Sequence, residues 1–304
     1  MRREQPLRTF GEVSSGYLSH ARCPARGEPR SPGYRLTHHG RYVELMRLIS
    51  YMSPGFPRSL FERIGEVVGA EVEFDETHSG PVAPNDPFAD NSFDLGWVCS
   101  TSYVEMATRN EDPTITLAGV AWVPDDPGSN GRPIYFGDII TRADSGITAF
   151  DDLEGRTVAC NDEVSLSGNY ALRFAIRDRG LSEGFLEQVF TGAHHNSIDQ
   201  VLSGEVDAAV VDSVVRIGRA RNNPAVADLR IVERLGPWPV QPLVARSTLD
   251  ADTIAEVRRL LLDAASDPLI KAELDKASLA GLVEVGPDHY DAVRAALRGQ
   301  TDNR

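Results

Sequence analysis

From residue 45 onward the chain alternates short apolar runs with amphipathic stretches, and this alternation restricts it to one fold class. Runs of strand length occupy 45–51, 71–74, 93–99, 115–123 and 134–142, then 157–160, 185–191, 206–213, 229–235 and 243–246. Helical spacing between them predicts helices over 57–68, from about 100 to Thr108, and over 168–179, 197–203, 255–265 and 268–277. In the first of these Phe61, Ile64, Val67 and Val68 mark one apolar face, and Gly69 ends it. Strand, helix, strand in that order suggests right-handed parallel units, so an α/β protein with mostly parallel sheets is expected. Residues 78–91, with three prolines, read as a loop that serves as a lid or edge feature. Residues 236–242 break the regular structure, and everything after 246 reads as helical.

A chain of 304 residues can bury one large core or two moderate ones. Its formal charge of -14 argues against a nucleic-acid partner, which needs a basic face. That charge does not forbid an anionic ligand, because N–H dipoles gathered at one point outweigh a diffuse net charge. No run of about 18 apolar residues occurs, so no membrane insertion is expected. Cys23, Cys99 and Cys160 form no close pair, which gives neither a disulfide framework nor zinc spacing. Cys99 and Cys160 end predicted strands and read as small buried residues.

Residues 1–45 are polar, rich in Arg, Pro, Gly and Ser, and read as a disordered extension. They lack the apolar core of a secretory signal, and Cys23 has no apolar run before it to make a lipid-attachment site. A cytoplasmic protein is expected from the sequence as it stands, or an extracytoplasmic one if the true start lies elsewhere, Met46 opening the first regular strand.

Polar groups collect at three strand-to-helix junctions: Ser100-Thr101-Ser102-Tyr103, Ser165-Leu166-Ser167-Gly168 and His194-His195-Asn196. In parallel α/β sheets ligands bind at the carboxyl ends of strands, where all three lie. A helix start leaves N–H groups unpaired and partly positive, so Ser165, Ser167 and Gly168 can form an anion cradle. The same serines can equally be plain helix caps. Three such junctions together favour a small-anion site. No phosphate-loop, dinucleotide, HExxH or GxSxG motif occurs. Adjacent His194 and His195 lack the spacing for a shared metal, and Asp207 and Asp212 read as strand-end caps before they read as acid/base groups. Neither a cofactor nor a metal is expected.

The order of these segments resembles the phosphate/phosphite/phosphonate group of ABC-transporter substrate-binding proteins, which have the type II periplasmic-binding-protein fold. Asp152-Leu153-Glu154-Gly155-Arg156-Thr157-Val158 looks like that family's "DLKGK-V" opening of the second lobe. Ser165-Leu166-Ser167-Gly168 stands where the family carries Ser-Thr-Ser-Gly. His194, seven residues before Val201, matches the family's ligand histidine, with His195 as an extra one. Leu202 to Ala209, Pro239 to Val244, Asp267-Pro268-Leu269 and Tyr290 to Val293 follow in the family's order. The resemblance spans 45–297.

It implies two α/β lobes joined by two crossing strands with the ligand cleft between them. Lobe one would comprise 46–137 with 242–304, and lobe two 138–241. The family mode would set Tyr103, Ser165, Ser167, His194 and the backbone N–H groups from Leu166 to Gly168 on the oxygens of a small anionic ligand. The partners implied are that ligand and an ABC transporter permease. Two departures bear on the ligand. Leu166 removes one hydroxyl donor, and Gln241 replaces the Asp of Pro-x-Asp-Pro, with Val214 where amine-binding members carry an acid. The missing acid argues against 2-aminoethylphosphonate. The expected function is a non-catalytic binding protein for a phosphonate-, phosphite- or phosphate-like oxyanion; a cytoplasmic enzyme or a ligand sensor on the same fold is the alternative.

Overall fold

The computed structural model describes residues 34–36, 42–53, 55–108 and 111–301. β1 (Tyr34–Leu36) and β2 (Tyr42–Glu44) pair antiparallel in a sheet of their own. Both strands fall within the stretch 1–45 expected to be an extension, most of whose residues, Cys23 among them, lie outside the described residues.

The first lobe begins with β3 (Met46–Ser50), α1 (Arg58–Val68), β4 (Ala70–Phe74), β5 (Leu95–Trp97), α2 (Ser100–Thr108) and β6 (Ile115–Pro124). α1 turns Leu60, Phe61, Ile64 and Val68 onto the sheet and ends at Gly69 in the left-handed region, as its spacing predicts. The chain then crosses to β7 (Ile134–Thr141), β8 (Thr157–Cys160), a π-helical turn (Leu166–Tyr170), α3 (Ala171–Asp178) and β9 (Glu187–Phe190). α4 (His194–Ser203), β10 (Ala208–Asp212), α5 (Ser213–Asn222), α6 (Pro224–Ala227) and β11 (Arg230–Pro239) complete the second lobe. It returns through β12 (Pro242–Arg246), α7 (Ala251–Ala264), α8 (Pro268–Lys276), β13 (Leu279–Glu284) and α9 (Asp291–Thr301).

Two sheets result, six strands in the order β13-β6-β12-β5-β3-β4 and five in the order β11-β7-β10-β8-β9. Both are mixed, which corrects the mostly parallel expectation. β3, β4 and β5 are mutually parallel, as are β8, β9 and β10, whereas β12 runs against β5 and β6, and β7 against β10 and β11. The crossings impose this: β6 leads out of the first lobe and β12 leads back, so neighbours in one sheet must run in opposite senses.

Other expectations also change. β11 continues through Gly236-Pro237 to Pro239, absorbing the prolines in a register shift between Leu235 and Trp238, so only Val240 and Gln241 separate it from β12. The C-terminal part is not wholly helical: β13 pairs with β6. α5, absent from the sequence reading, starts because the Asp212 carboxylate caps the amides of Val214 and Val215.

Alternation along β8 and β10 sends Val158, Cys160, Ala208 and Val210 to one apolar layer and Ala159, Ala209 and Val211 to the other. Both faces of the second sheet are therefore covered. In the first lobe Trp97 stacks flat on Trp122, centroids 4.6 Å apart, and its Nε1–H donates to the Gln241 carbonyl at 3.0 Å. The return crossing is thereby tied to the first core.

Candidate functional site

The carboxyl ends of β3, β4 and β5 face those of β8, β9 and β10, and a cleft lies where they meet. It holds a cavity of about 40 Å³. The first lobe contributes Tyr51, Ser53, Glu76, Ser79 and Cys99; the second contributes Asn161, Asp162, Ser165, Ser167, His194 and Asp212, and Gln241 sits on the return crossing.

The helix expected from Gly168 starts earlier, in the π turn, which Ser165 opens as N-cap with its Oγ accepting the Gly168 amide at 3.2 Å. Ser165 is thus a cap and a cleft wall at once, and its O–H stays available as a donor. A Cβ on Gly168 would stand 1.9 Å from Asn161 Oδ1 and 2.8 Å from His194 Cε1, so only glycine allows this approach. Beneath it, Gly137 of β7 makes way for the Ser167 carbonyl, which a Cβ would meet at 2.4 Å. Leu166 behaves differently from the reading of a shared N–H cradle. Its side chain is fully buried and its amide donates to Cys99 Sγ at 3.2 Å.

α4, expected from Ser197, begins at His194, with Ala193 as N-cap and no side chain capping it. Gly192 and Ala193 line the cleft, so this helix start opens onto it. His194 Nδ1 accepts the Asp212 amide at 3.3 Å, which leaves the neutral ring its proton on Nε2. Desolvation, with a smaller push from His195, lowers its pKa to about 3. His194 is therefore a neutral donor. His195 lies outside the cleft lining, its carbonyl accepting from Arg219.

Among the described lining residues there is no arginine or lysine, and there are three acids. Asp212 is raised to about 7 by burial, against the opposing pull of the Val214 amide and Gln241. Its Oδ2 accepts from Gln241 Nε2 at 3.0 Å. Asp162 is also raised by burial, while Glu76 is lowered by its bonds from Ser53 and Arg58. Asp212, Asp162 and Glu76 thus bring carboxyl groups to the cleft from positions other than 214 and 241.

Of the residues singled out in the sequence, Ser165, Ser167, His194 and Gln241 line this cleft, and Gly168 packs against its Asn161 and His194. Tyr103 is not brought there. α2 starts directly after β5, so Ser100 and Thr101 face the crossing and Val164, and Tyr103, one turn on, swings toward α9. Its ring meets Tyr290 edge-on at 4.9 Å, and Arg294 donates to its hydroxyl at 3.4 Å. Sequence reading missed Ser79, Asn161 and Asp162. The signal was present for the latter two, which follow β8 directly at its carboxyl end.

Contacts across the cleft hold the lobes together. Ser79 donates its amide and hydroxyl to Asp162 Oδ2 (3.1 and 2.5 Å), Thr101 donates to the Val164 carbonyl (2.5 Å), and Tyr170 to Glu105 (3.0 Å).

Two mixed sheets, a double crossing and a cleft at the carboxyl ends of the parallel strands define the class of type II periplasmic binding proteins. Residues 58–290 match the family model described as the periplasmic substrate-binding protein of phosphonate ABC transporters, and the chain belongs to that family of non-catalytic substrate-binding proteins. Its fold is similar to that of a binding-protein component of a phosphonate ABC transporter from Pseudomonas aeruginosa (16% identity, TM-score 0.67, 83% of this chain and 85% of that one). It is similar also to PhnD1 from Prochlorococcus marinus, solved with methylphosphonate (15%, 0.68, 84% and 98%), and to the periplasmic aliphatic sulphonate binding protein SsuA from Escherichia coli (15%, 0.55, 85% and 87%). No described helix is long and apolar enough to cross a membrane.

Proposed function

We propose that this chain binds a small oxyanion of the phosphonate, phosphite or phosphate kind, without transforming it, and closes its lobes over it for delivery to an ABC permease. The observation that carries the reading is the convergence on one small cleft of Ser165, Ser167, the open start of α4 and a neutral His194 whose Nε2 is left as a donor. Hydrogen bonds to a charged group contribute about 1.5–3 kcal/mol each, so four or five offset the cost of association. The moving bodies would be the six-stranded sheet with its helices and the five-stranded sheet with its helices, pivoting at the crossings before β7 and after β11. A permease partner places the working protein outside the cytoplasm.

Melting temperature measured with phosphate, phosphite, methylphosphonate, sulfate and small carboxylates tests this. A ligand at about 100 times its Kd adds about 2.7 kcal/mol of stability. A phosphorus oxyanion should raise the melting point, and a Ser165→Ala, His194→Ala double variant should lose the rise. No rise with any oxyanion, or an undiminished rise in the variant, overturns the assignment.

A further inference from the structure

The segment that carries Ser165 and Ser167 leaves β8 at Cys160 and returns to regular structure in the π turn. The first main-chain bond of that turn runs from the Tyr170 amide to the Ser165 carbonyl at 3.0 Å. A π turn closes one residue later than an α turn, so the amides ahead of it depend on other partners.

Asn169 supplies an anchor from within the turn. It is 2% exposed, and its amide works in both directions. Nδ2 donates to the Glu163 carbonyl at 2.6 Å, and Oδ1 accepts from Gln188 Nε2 of β9 at 2.8 Å. A backbone carbonyl can only accept, so Glu163 requires the nitrogen of Asn169 and leaves its oxygen for Gln188. Gln188 Nε2 is steadied in turn by Cys160 Sγ, at the end of β8, at 2.9 Å. Both serines lie within the span that the Asn169–Glu163 bond closes, whereas Asn169 is not among the residues lining the cleft.

We propose that Asn169 is a positioning residue. By tying Glu163 to β9 through Gln188 it holds the 163–168 segment in its binding shape before the ligand arrives. The inference rests on the oxyanion reading of the cleft and adds to it the group that prepares the serine wall. A site ordered in advance loses less of its interaction with the ligand to ordering itself, so loosening the segment weakens binding without removing any ligand contact. An aspartate at 169 would have the same shape but would set a carboxylate oxygen against the Glu163 carbonyl.

Hydrogen–deuterium exchange on the ligand-free chain and calorimetric titration with methylphosphonate, applied to Asn169→Asp and Asn169→Ala, test this. In both variants the 163–170 segment should exchange about tenfold faster or more, with β8 and β10 as protected as in the native chain. Methylphosphonate should bind about tenfold more weakly, and saturating it should restore most of the lost protection. Gln188→Leu, which keeps Asn169 and removes its second partner, should move both readouts in the same direction and serves if neither Asn169 variant folds. Undiminished affinity in a folded variant overturns the inference. So does native exchange of the 163–170 segment, because affinity is then lost by another route. Equal loss of protection in β8 and β10 overturns it too, making Asn169 a general support of the lobe. All three leave the oxyanion reading standing. If the native chain binds none of methylphosphonate, phosphite and phosphate, both readings fall together.

Discussion

Asp162 of the second lobe holds Ser79 of the first, a single carboxylate oxygen accepting both the Ser79 amide at 3.1 Å and its hydroxyl at 2.5 Å. The grip is prepared on the Asp162 side by Asn161 Nδ2 at 2.6 Å and, on the other oxygen, by the Val164 amide at 3.0 Å. Asp162 thus enters the closed cleft already oriented, and the 78–91 loop supplies what it clasps.

Ser79→Ala removes the hydroxyl half of this clasp and leaves the amide half. Closure and ligand binding are coupled, so a weaker closed state lowers apparent affinity. We expect methylphosphonate affinity to fall about tenfold, the equivalent of about 1.4 kcal/mol, with the unfolding midpoint of the free protein almost unchanged. Calorimetry and thermal melting on the same variant check it; unchanged affinity would show that the contact is incidental to binding.

Stability should respond to pH through two neighbours of opposite sign. Asp212 rises on folding from an ordinary 3.8 to about 7 because burial disfavours its charge. The folded state then binds the extra proton, so this contribution is fully present below pH 3.8 and is lost as pH climbs through 7. His194 falls from 6.5 to about 3, so its contribution is present above 6.5 and is lost as pH drops through 3. Asp212→Asn, which can still cap α5 through its amide oxygen, should therefore gain on the native chain as pH rises from about 4 to 8. Parallel melting curves for the two proteins across that range would refute the assignment.

Gly168→Ala sets a methyl group 1.9 Å from Asn161 Oδ1, and Asn161 is pinned through Nδ2 to Asp162 and Ser79. The turn must shift to make room. We expect a loss of about 1–3 kcal/mol of stability, typical of overpacking, and a loss of methylphosphonate binding of more than about tenfold. Thermal melting and titration read the two effects separately.

Asp138 of β7, fully buried, accepts from Arg216 Nε at 2.6 Å and from Arg234 Nε at 2.7 Å, while Arg234 also pairs with Asp126 at the first crossing. Asp138→Ala takes from Arg216 its one described carboxylate partner and leaves Arg234 with Asp126 alone. Removing one partner of a buried pair costs about 3–5 kcal/mol, and the partial exposure of both arginines points to the lower end. Denaturant unfolding should show it; a change under about 1 kcal/mol would mean that water replaces the carboxylate.

Much of this architecture was legible before any coordinates. β8 runs over the very residues whose apolar run predicts it, and α1 ends at its glycine, because periodicity and capping are properties of a few consecutive residues. α5 escaped notice because Val214, Val215 and Ile217 favour strands locally, and only the Asp212 cap turns them into a helix. Mixed strand directions escaped it too, since nothing in a strand records which neighbour it will meet.

The sequence by itself determined the α/β alternation, the polar junctions at Ser165 and His194 and the family to which the chain belongs. Those follow from spacing and from the chemistry of helix starts, both local. Only the tertiary structure decided what the junctions face. It turned Tyr103 away toward Arg294 and brought Ser79 to Asp162 across 83 positions. It also set Gln241 beside Asp212 across 29. Such pairings depend on helix phase and on how two sheets meet, and no local pattern carries that information.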